Sequence, residues 1–256
     1  MSTGWLAHVL LFLSWFGVLT LAVAITYLMA IRPWHLRWGA TDEEASQYLP
    51  GDDLVLLPQL QATHAVTIRA SAAAIWPWLV QMGQGRGGLY SYDWLENLMG
   101  LDIHSVNRVL PEHQNLKVGD VIPLEPGGTG PPVVAIDPCR ALVLGGTMNA
   151  DPGPRQSPFV LKDKNPNAYM SVSWVFVLNP IDAQTTRLIE RFRLDWTRGF
   201  KYTLPNRVIL EPISFIMERK MLLGIKRRVE TLAKFAAPAP AEHPEQSLPV
   251  EERKAS

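Results

Sequence analysis

The chain has 256 residues, 24 of them basic and 24 acidic, with a single cysteine, Cys139. The charge balance excludes the polyelectrolyte surface that holds nucleic acid, and a lone thiol excludes an intramolecular disulfide and a thiolate zinc cluster. No Asn-x-Ser/Thr acceptor occurs, and both absences are compatible with a reducing compartment.

From Trp5 to Ile31 there is no Asp, Glu, Lys or Arg. A helix needs roughly 20 apolar residues to cross a bilayer core, so residues 5–31 are predicted to span a membrane. Trp5 on one side and Trp34 with Trp38 on the other suit the interfacial positions that indole rings prefer. A cleaved signal would have an apolar region of about 7–15 residues behind a basic one, and this run is longer with nothing basic before it. Arg32 and Arg37 follow the span, which by the positive-inside bias leaves the main domain in the cytoplasm. Residues 1–38 are therefore read as span and flank, and residues 39–59, acidic with Pro50, Gly51 and Pro58, as a polar connector.

The domain proper is expected over residues 60–235. Ala62 to Arg69 alternates, with His64, Val66 and Ile68 on one face, which is strand chemistry. Ser71 is placed to cap a helix over Ala72 to Met82, which buries Ile75, Trp76, Leu79 and Val80. Gly83 to Gly88 matches G-x-G-x-x-G, but a dinucleotide fingerprint needs a strand before it and a helix opening on it, whereas here a helix precedes. The glycines read as a flexible join, with Arg86 in their midst. Tyr90 to Met99 is predicted as a second, aromatic-rich helix. Between Leu101 and Gly146 short strands are expected at Val121 to Leu124, Val133 to Ile136 and Ala141 to Leu144. Asn149 to Asn167 reads as a long loop or flap. Tyr169 to Leu178 and Thr186 to Trp196 are the best strands, joined in a hairpin with a longer turn through Asn179, Pro180 and Asp182.

Within Pro205 to Phe235, Ile209, Ile213, Met217, Met221, Ile225, Val229 and Leu232 recur at spacings of three or four and form one buried side of a helix. Pro212 cannot sit inside that helix, so a leading turn to Glu211 and a main helix from Pro212 are expected. The Pro-Ala alternation and polar residues of 236–256 read as disorder. Strands followed by a long helix predict an α+β domain with the final helix laid across one sheet face.

AVTIRASAAAIWPW from Ala65 to Trp78, the following LVQMGQGRGGLYSYDWLENLMGLDIHS, KVGDVI from Lys117 to Ile122 and the terminal ISFIMERKMLLGIKRR together resemble the SRPBCC superfamily. This is the START-like, helix-grip group that includes polyketide cyclase/dehydrase proteins. Over roughly residues 60–235 the resemblance implies a curved antiparallel sheet gripping the C-terminal helix, with a cavity between them for apolar or amphipathic small molecules. The N-terminal span is an addition to that domain. Fold alone does not fix chemistry, because the group covers lipid transfer, hormone binding and aromatic cyclisation.

Strand alternation then nominates the side chains that would face the cavity. Glu190 falls with Leu188, Phe192 and Leu194; Trp174 and Phe176 fall with Met170 and Val172; Met217 and Met221 come from the helix stripe. Tyr90, Tyr92 and Trp94 would line the entrance or belong to the core, and Arg86 would hold an anionic group by its fork or pair with Asp93 or Glu96. His64 and Glu190 are the candidate acid and base, since burial moves such groups toward neutral pH; each could equally be a structural polar group. No metal-ligand or cofactor motif accompanies them. Three functions stay open: a membrane-anchored binder of a hydrophobic small molecule or lipid, an enzyme of cyclase or dehydratase type, and a protein- or membrane-interaction module.

Overall fold

The computed structural model describes residues 3–149, 165 and 167–236. The expected flap lies mostly outside these residues, and the expected disordered tail after Ala236 lies wholly outside them.

The architecture is α+β. Helix α1 (Thr3–Thr26) continues through a π-helical turn, Tyr27–Ile31, into α2 (Arg32–Leu36). Pro33 accounts for the widened turn, because its ring would collide with the Met29 carbonyl in a regular helix. The His8–Leu36 stretch is long and apolar enough to cross a membrane, with mean hydropathy 2.3. Trp38, expected at the interface, instead packs against the domain core under the Arg219 guanidinium, 4.9 Å from its ring centre.

After α3 (Asp42–Ser46), five antiparallel strands, β1 (Leu60–Ile68), β2 (Val133–Asp137), β3 (Ala141–Asn149), β4 (Tyr169–Asp182) and β5 (Thr185–Trp196), form one sheet in the order β1-β5-β4-β3-β2. Helices α4 (Ala72–Val80), α5 (Asp93–Leu98), α6 (Phe200–Pro205) and α7 (Glu211–Ala236) complete the chain. Alternation along β1, β4 and β5 puts Ile68, Phe176, Leu178 and Leu188 against Leu222, Ile225 and Val229 of α7 in the main core. Gly224 lets α7 approach so closely that a Cβ there would strike the Tyr90 carbonyl.

Several local expectations are corrected. The strand predicted at Val121 to Leu124 shrinks to one bridge, Val121 with Pro132, because Pro123, Pro126, Pro131 and Pro132 supply no N–H for a ladder. The helix expected from Tyr90 begins only at Asp93, since Tyr90 has φ 58°. Ser71 precedes α4 without a side-chain cap bond. The β4–β5 turn is tight, not long: the strands continue through Pro180 to Asp182 and Thr185, beyond the end of β3 at Ala141, so the missing Pro180 N–H leaves no ladder partner unpaired there. Helix α7 starts at Glu211, one residue before Pro212, and is continuous with α6 through a second π-helical turn, Asn206–Leu210. That turn opens ahead of Pro212 as the first does ahead of Pro33.

The largest departure is residues 39–59. They are a strap across the outer face of the sheet, not a free connector. Thr41 and Glu44 form a reciprocal capping box that fixes α3. Arg191, on the outer side of β5 and 1 % exposed, reaches Asp52 (2.6 Å) and the carbonyls of Glu44, Ala45 and Gln47, while Ser173 donates to the Gly51 carbonyl. Ser173, Val175 and Ile189, outward by alternation, are buried beneath this strap.

Candidate functional site

On the inner face, register pairs His64 of β1 with Glu190 of β5, and Glu190 with Phe176 of β4. Both polar side chains therefore meet on the concave side. From α7, Glu218 descends onto the same point, so His64 Nδ1 lies 2.9 Å from Glu190 Oε2 and 3.2 Å from Glu218 Oε2. His64 Nε2 is 2.9 Å from the His35 carbonyl of α2 and donates to it, and Trp174 Nε1–H donates to Glu190 Oε1 at 2.7 Å. His64 and Glu190 are fully buried and Glu218 nearly so.

With Nε2–H committed to a carbonyl, a neutral imidazole would present the Nδ1 lone pair to two carboxyl groups. That arrangement is repulsive, so a cation must sit between them, and a proton serves. Burial alone would push the imidazole down, but its hydrogen bonds to Glu190 and Glu218, and their charge, outweigh burial and hold it at about 10. Glu218 is pushed up to about 7 by burial and by the charge of Glu190, against the pull of His64. The three ligand atoms lie within 4.8 Å of one another and form the group, among the described residues, that could hold a divalent cation. The outer bonds suit that use too, as a ligating histidine commonly gives its other N–H to a carbonyl.

Beside this cluster is a second one at the end of α1–α2. Glu211, the first residue of α7, accepts Arg32 Nε at 2.8 Å and Arg207 Nη1 at 3.0 Å, and His35 Nε2 is 3.5 Å away. The segment that leaves the apolar span is thus fastened to both the head of α7 and the histidine of the first cluster.

Between sheet and helix lies a cavity of about 530 Å³. Met148, Met170, Val172, Trp174, Phe192 and Leu194 line it from the sheet, Ile209, Ile213, Met217 and Met221 from the helix, and Leu89, Met99, Leu101 and Leu124 from the loops. Glu218 borders it as well, so one carboxyl of the buried cluster faces the empty space. A second carboxyl, Glu96 of α5, also lines it; Glu96 is 1 % exposed and neither oxygen has a hydrogen-bond partner among the described residues. Burial, then the charge of Asp93, raises Glu96 to about 7.

Of the side chains nominated from sequence, Trp174, Phe192, Met217 and Met221 line the cavity. Glu190 stands behind it, between His64 and Trp174. Phe176 is fully buried against Trp174, ring centres 5.1 Å apart, and does not reach the cavity. Arg86 is a correction: its guanidinium turns back to the carbonyls of Val80, Met82 and His113, because the Gly83–Gly88 bridge folds the loop over it. Tyr90 is core, its hydroxyl donating to the Trp78 carbonyl at 3.1 Å; Tyr92 lies beside Lys220, and Trp94 points outward, 68 % exposed. None of these lines the cavity, because the positive φ at Tyr90 turns the segment before α5 begins.

Glu218 and Glu96 escaped the sequence reading. For Glu218 a signal existed: Glu211, Glu218, Leu222, Ile225 and Val229 follow one another at spacings of seven, four, three and four, so an acid shares the buried stripe. Glu96 had none, since α5 buries its acid and exposes Trp94 and Leu98.

No protein-family model and no curated protein sequence matches this chain. Solved structures do resemble it. A Mesorhizobium loti protein is 14 % identical over 70 % of this chain and 100 % of its own, at TM-score 0.38. The ZhuI aromatase/cyclase from Streptomyces sp. R1128 is 13 % identical over 70 % and 99 %, at 0.33. A polyketide-cyclase-like protein from Corynebacterium glutamicum is 14 % identical over 72 % and 96 %, at 0.31. At such identities and TM-scores the likeness says nothing of chemistry, which has to be read from the site.

Proposed function

We propose that this protein is a membrane-anchored, START-like domain of the SRPBCC type that binds a hydrophobic or amphipathic small molecule. The observation that carries this reading is the 530 Å³ cavity with its predominantly apolar wall. Sites for small molecules are concave, mostly apolar and about 300–1,000 Å³, with a few placed polar groups.

Two features support anchoring. Residues His8–Leu36 supply a helix of spanning length, and the domain offers the bilayer an apolar side. Along β1 from Gln59 to Arg69, the bonded partners on α7 and its lead-in rise from Arg207 through Glu218 and Lys226 to Glu230. Arg32 meets Glu211 at the low end of that series, and Trp38 accepts the Ala65 N–H further along. The span and α6 therefore both leave by the end of the sheet where β1 begins. There α6 and the π turn expose Phe200, Leu204, Val208 and Ile209, and Ile209 is also on the cavity wall. This layout favours loading from the membrane. Arg32 and Arg37 at the end of the span favour a cytoplasmic domain.

Native mass spectrometry of the full chain, released from nanodiscs made with a total lipid extract, tests the reading. An apolar guest is expected on the wild type and bound more weakly by Met217→Trp, whose larger indole narrows the cavity. A wild type that releases empty, or a variant that holds the same guest at undiminished occupancy, overturns it.

A second reading, an enzyme of cyclase or dehydratase type, is favoured by one observation: Glu218 borders the cavity while hydrogen-bonded to His64. A carboxyl at about 7 exchanges protons readily at neutral pH. Chemical change of a captured guest by the wild type but not by Glu218→Gln supports catalysis; an unchanged guest in both removes it.

A further inference from the structure

The chemistry of the cavity wall narrows the guest. Among the described lining residues there are two carboxyls, Glu96 and Glu218, and no lysine, arginine or histidine. A fatty acid or a phosphate ester placed there would bring its negative charge toward two acids with no cation to meet it, which the low polarity of the wall makes costly. Selection by charge runs the other way.

The two acids are not equivalent. Glu218 is bonded to His64, and that side of the cavity is already satisfied. Glu96 is buried to 1 % exposure with both oxygens lacking a donor among the described residues. Its neighbour Asp93 is occupied elsewhere, accepting from the Ser105 N–H and Oγ–H at 2.7 and 2.6 Å, and holds no donor toward Glu96. A carboxyl sealed into an apolar wall without partners is costly to the fold, and a donor brought by a guest satisfies it.

We infer that the cavity takes a cationic amphiphile, an apolar chain ending in a protonated amine, with Glu96 as the group that receives the ammonium. This rests on the ligand-binding reading above and deepens it by naming the head group. The apolar chain lies along Met170, Trp174, Phe192 and Met217, and the N–H donors of the ammonium meet the carboxylate oxygens of Glu96 in charge-assisted hydrogen bonds.

The test offers the full chain, in nanodiscs of zwitterionic lipid, an equimolar mixture of dodecylamine, dodecanol and dodecanoate, and reads occupancy by native mass spectrometry. The amine is expected to exceed dodecanoate by at least about tenfold, a ratio that corresponds to one charge-assisted contact. Glu96→Gln should bring the amine down to the level of the alcohol. As an independent arm, the wild type is also titrated from about pH 8 to pH 5, where the amine-over-alcohol ratio should fall as Glu96 becomes protonated. Dodecanoate bound as well as the amine, or a ratio unmoved by both the substitution and pH, overturns the inference. Alcohol bound with no preference for amine overturns the head group and leaves the cavity reading standing, whereas none of the probes bound overturns the cavity reading as well.

Discussion

Replacing Glu96 with glutamine should make the protein more stable, and only at high pH. The carboxyl is 1 % exposed and unpartnered, and burial raises it from 4.5 to about 7. A group whose folded pKa lies above its unfolded value lends stability below the unfolded pKa and loses it as pH rises through the folded one, so the window here runs from about 4.5 to about 7. At about 1.4 kcal/mol per pKa unit, ionised Glu96 costs the fold on the order of 3 kcal/mol above that window. Glutamine has nearly the same shape and cannot ionise, so it removes the charge while leaving one more N–H donor than the protonated acid to be satisfied. Urea unfolding of the full chain in one mild detergent, followed by tryptophan fluorescence, should give wild type and Glu96→Gln equal stability within about 1 kcal/mol near pH 5 and favour the variant by on the order of 2–3 kcal/mol near pH 9. A variant no more stable than wild type near pH 9 would refute the account, because the carboxyl would then have a partner or reach water. The result also bears on function: a charge that weakens the empty fold is one that a guest can satisfy.

Three other predictions follow from the same structure. His64, held at about 10, adds stability that is complete below about 6.5 and lost as pH rises to about 10; Glu218→Gln removes one of the two carboxylate charges beside it, and histidine NMR should show the ring titrating at lower pH than in wild type. Arg191→Met leaves Asp52 buried without its closest cation and frees the carbonyls of residues 44, 45 and 47, at a cost of about 3–5 kcal/mol; limited proteolysis should then cut within residues 39–59, where wild type resists. Gly224→Ala drives a methyl into the Tyr90 carbonyl, and a loss of about 1–3 kcal/mol in urea unfolding is expected from the overpacking; an unchanged midpoint would mean that α7 and the Tyr90 loop are not in close contact.

Much of the fold is legible along the chain because its signals are periodic. Alternation assigns β1, β4 and β5 and their inward faces, including His64 and Glu190, since a strand side chain has only two directions. The α7 stripe, read from spacings of three and four, is buried at Met221, Ile225 and Val229, but Ile209, Ile213 and Leu232 at its two ends are exposed, and the acid Glu218 takes a buried place beside it. Arg86 and the Tyr90 to Trp94 segment are misjudged for another reason. Their places depend on glycine turns and one positive φ, which leave no periodic trace.

The apolar helix at the N-terminus, the α+β order and the inward face of each strand are written locally in the chain, as consequences of backbone stereochemistry and hydrophobic spacing. The strap of residues 39–59 over the outer sheet face, the meeting of Glu218 with His64 and Glu190, and the placing of Glu96 on the cavity wall without a hydrogen-bond partner among the described residues arise only on folding. Such contacts join residues far apart in the chain, 139 positions for Arg191 with Asp52 and 126 for His64 with Glu190. They exist because the sheet and α7 close on one another, and no local pattern carries that information.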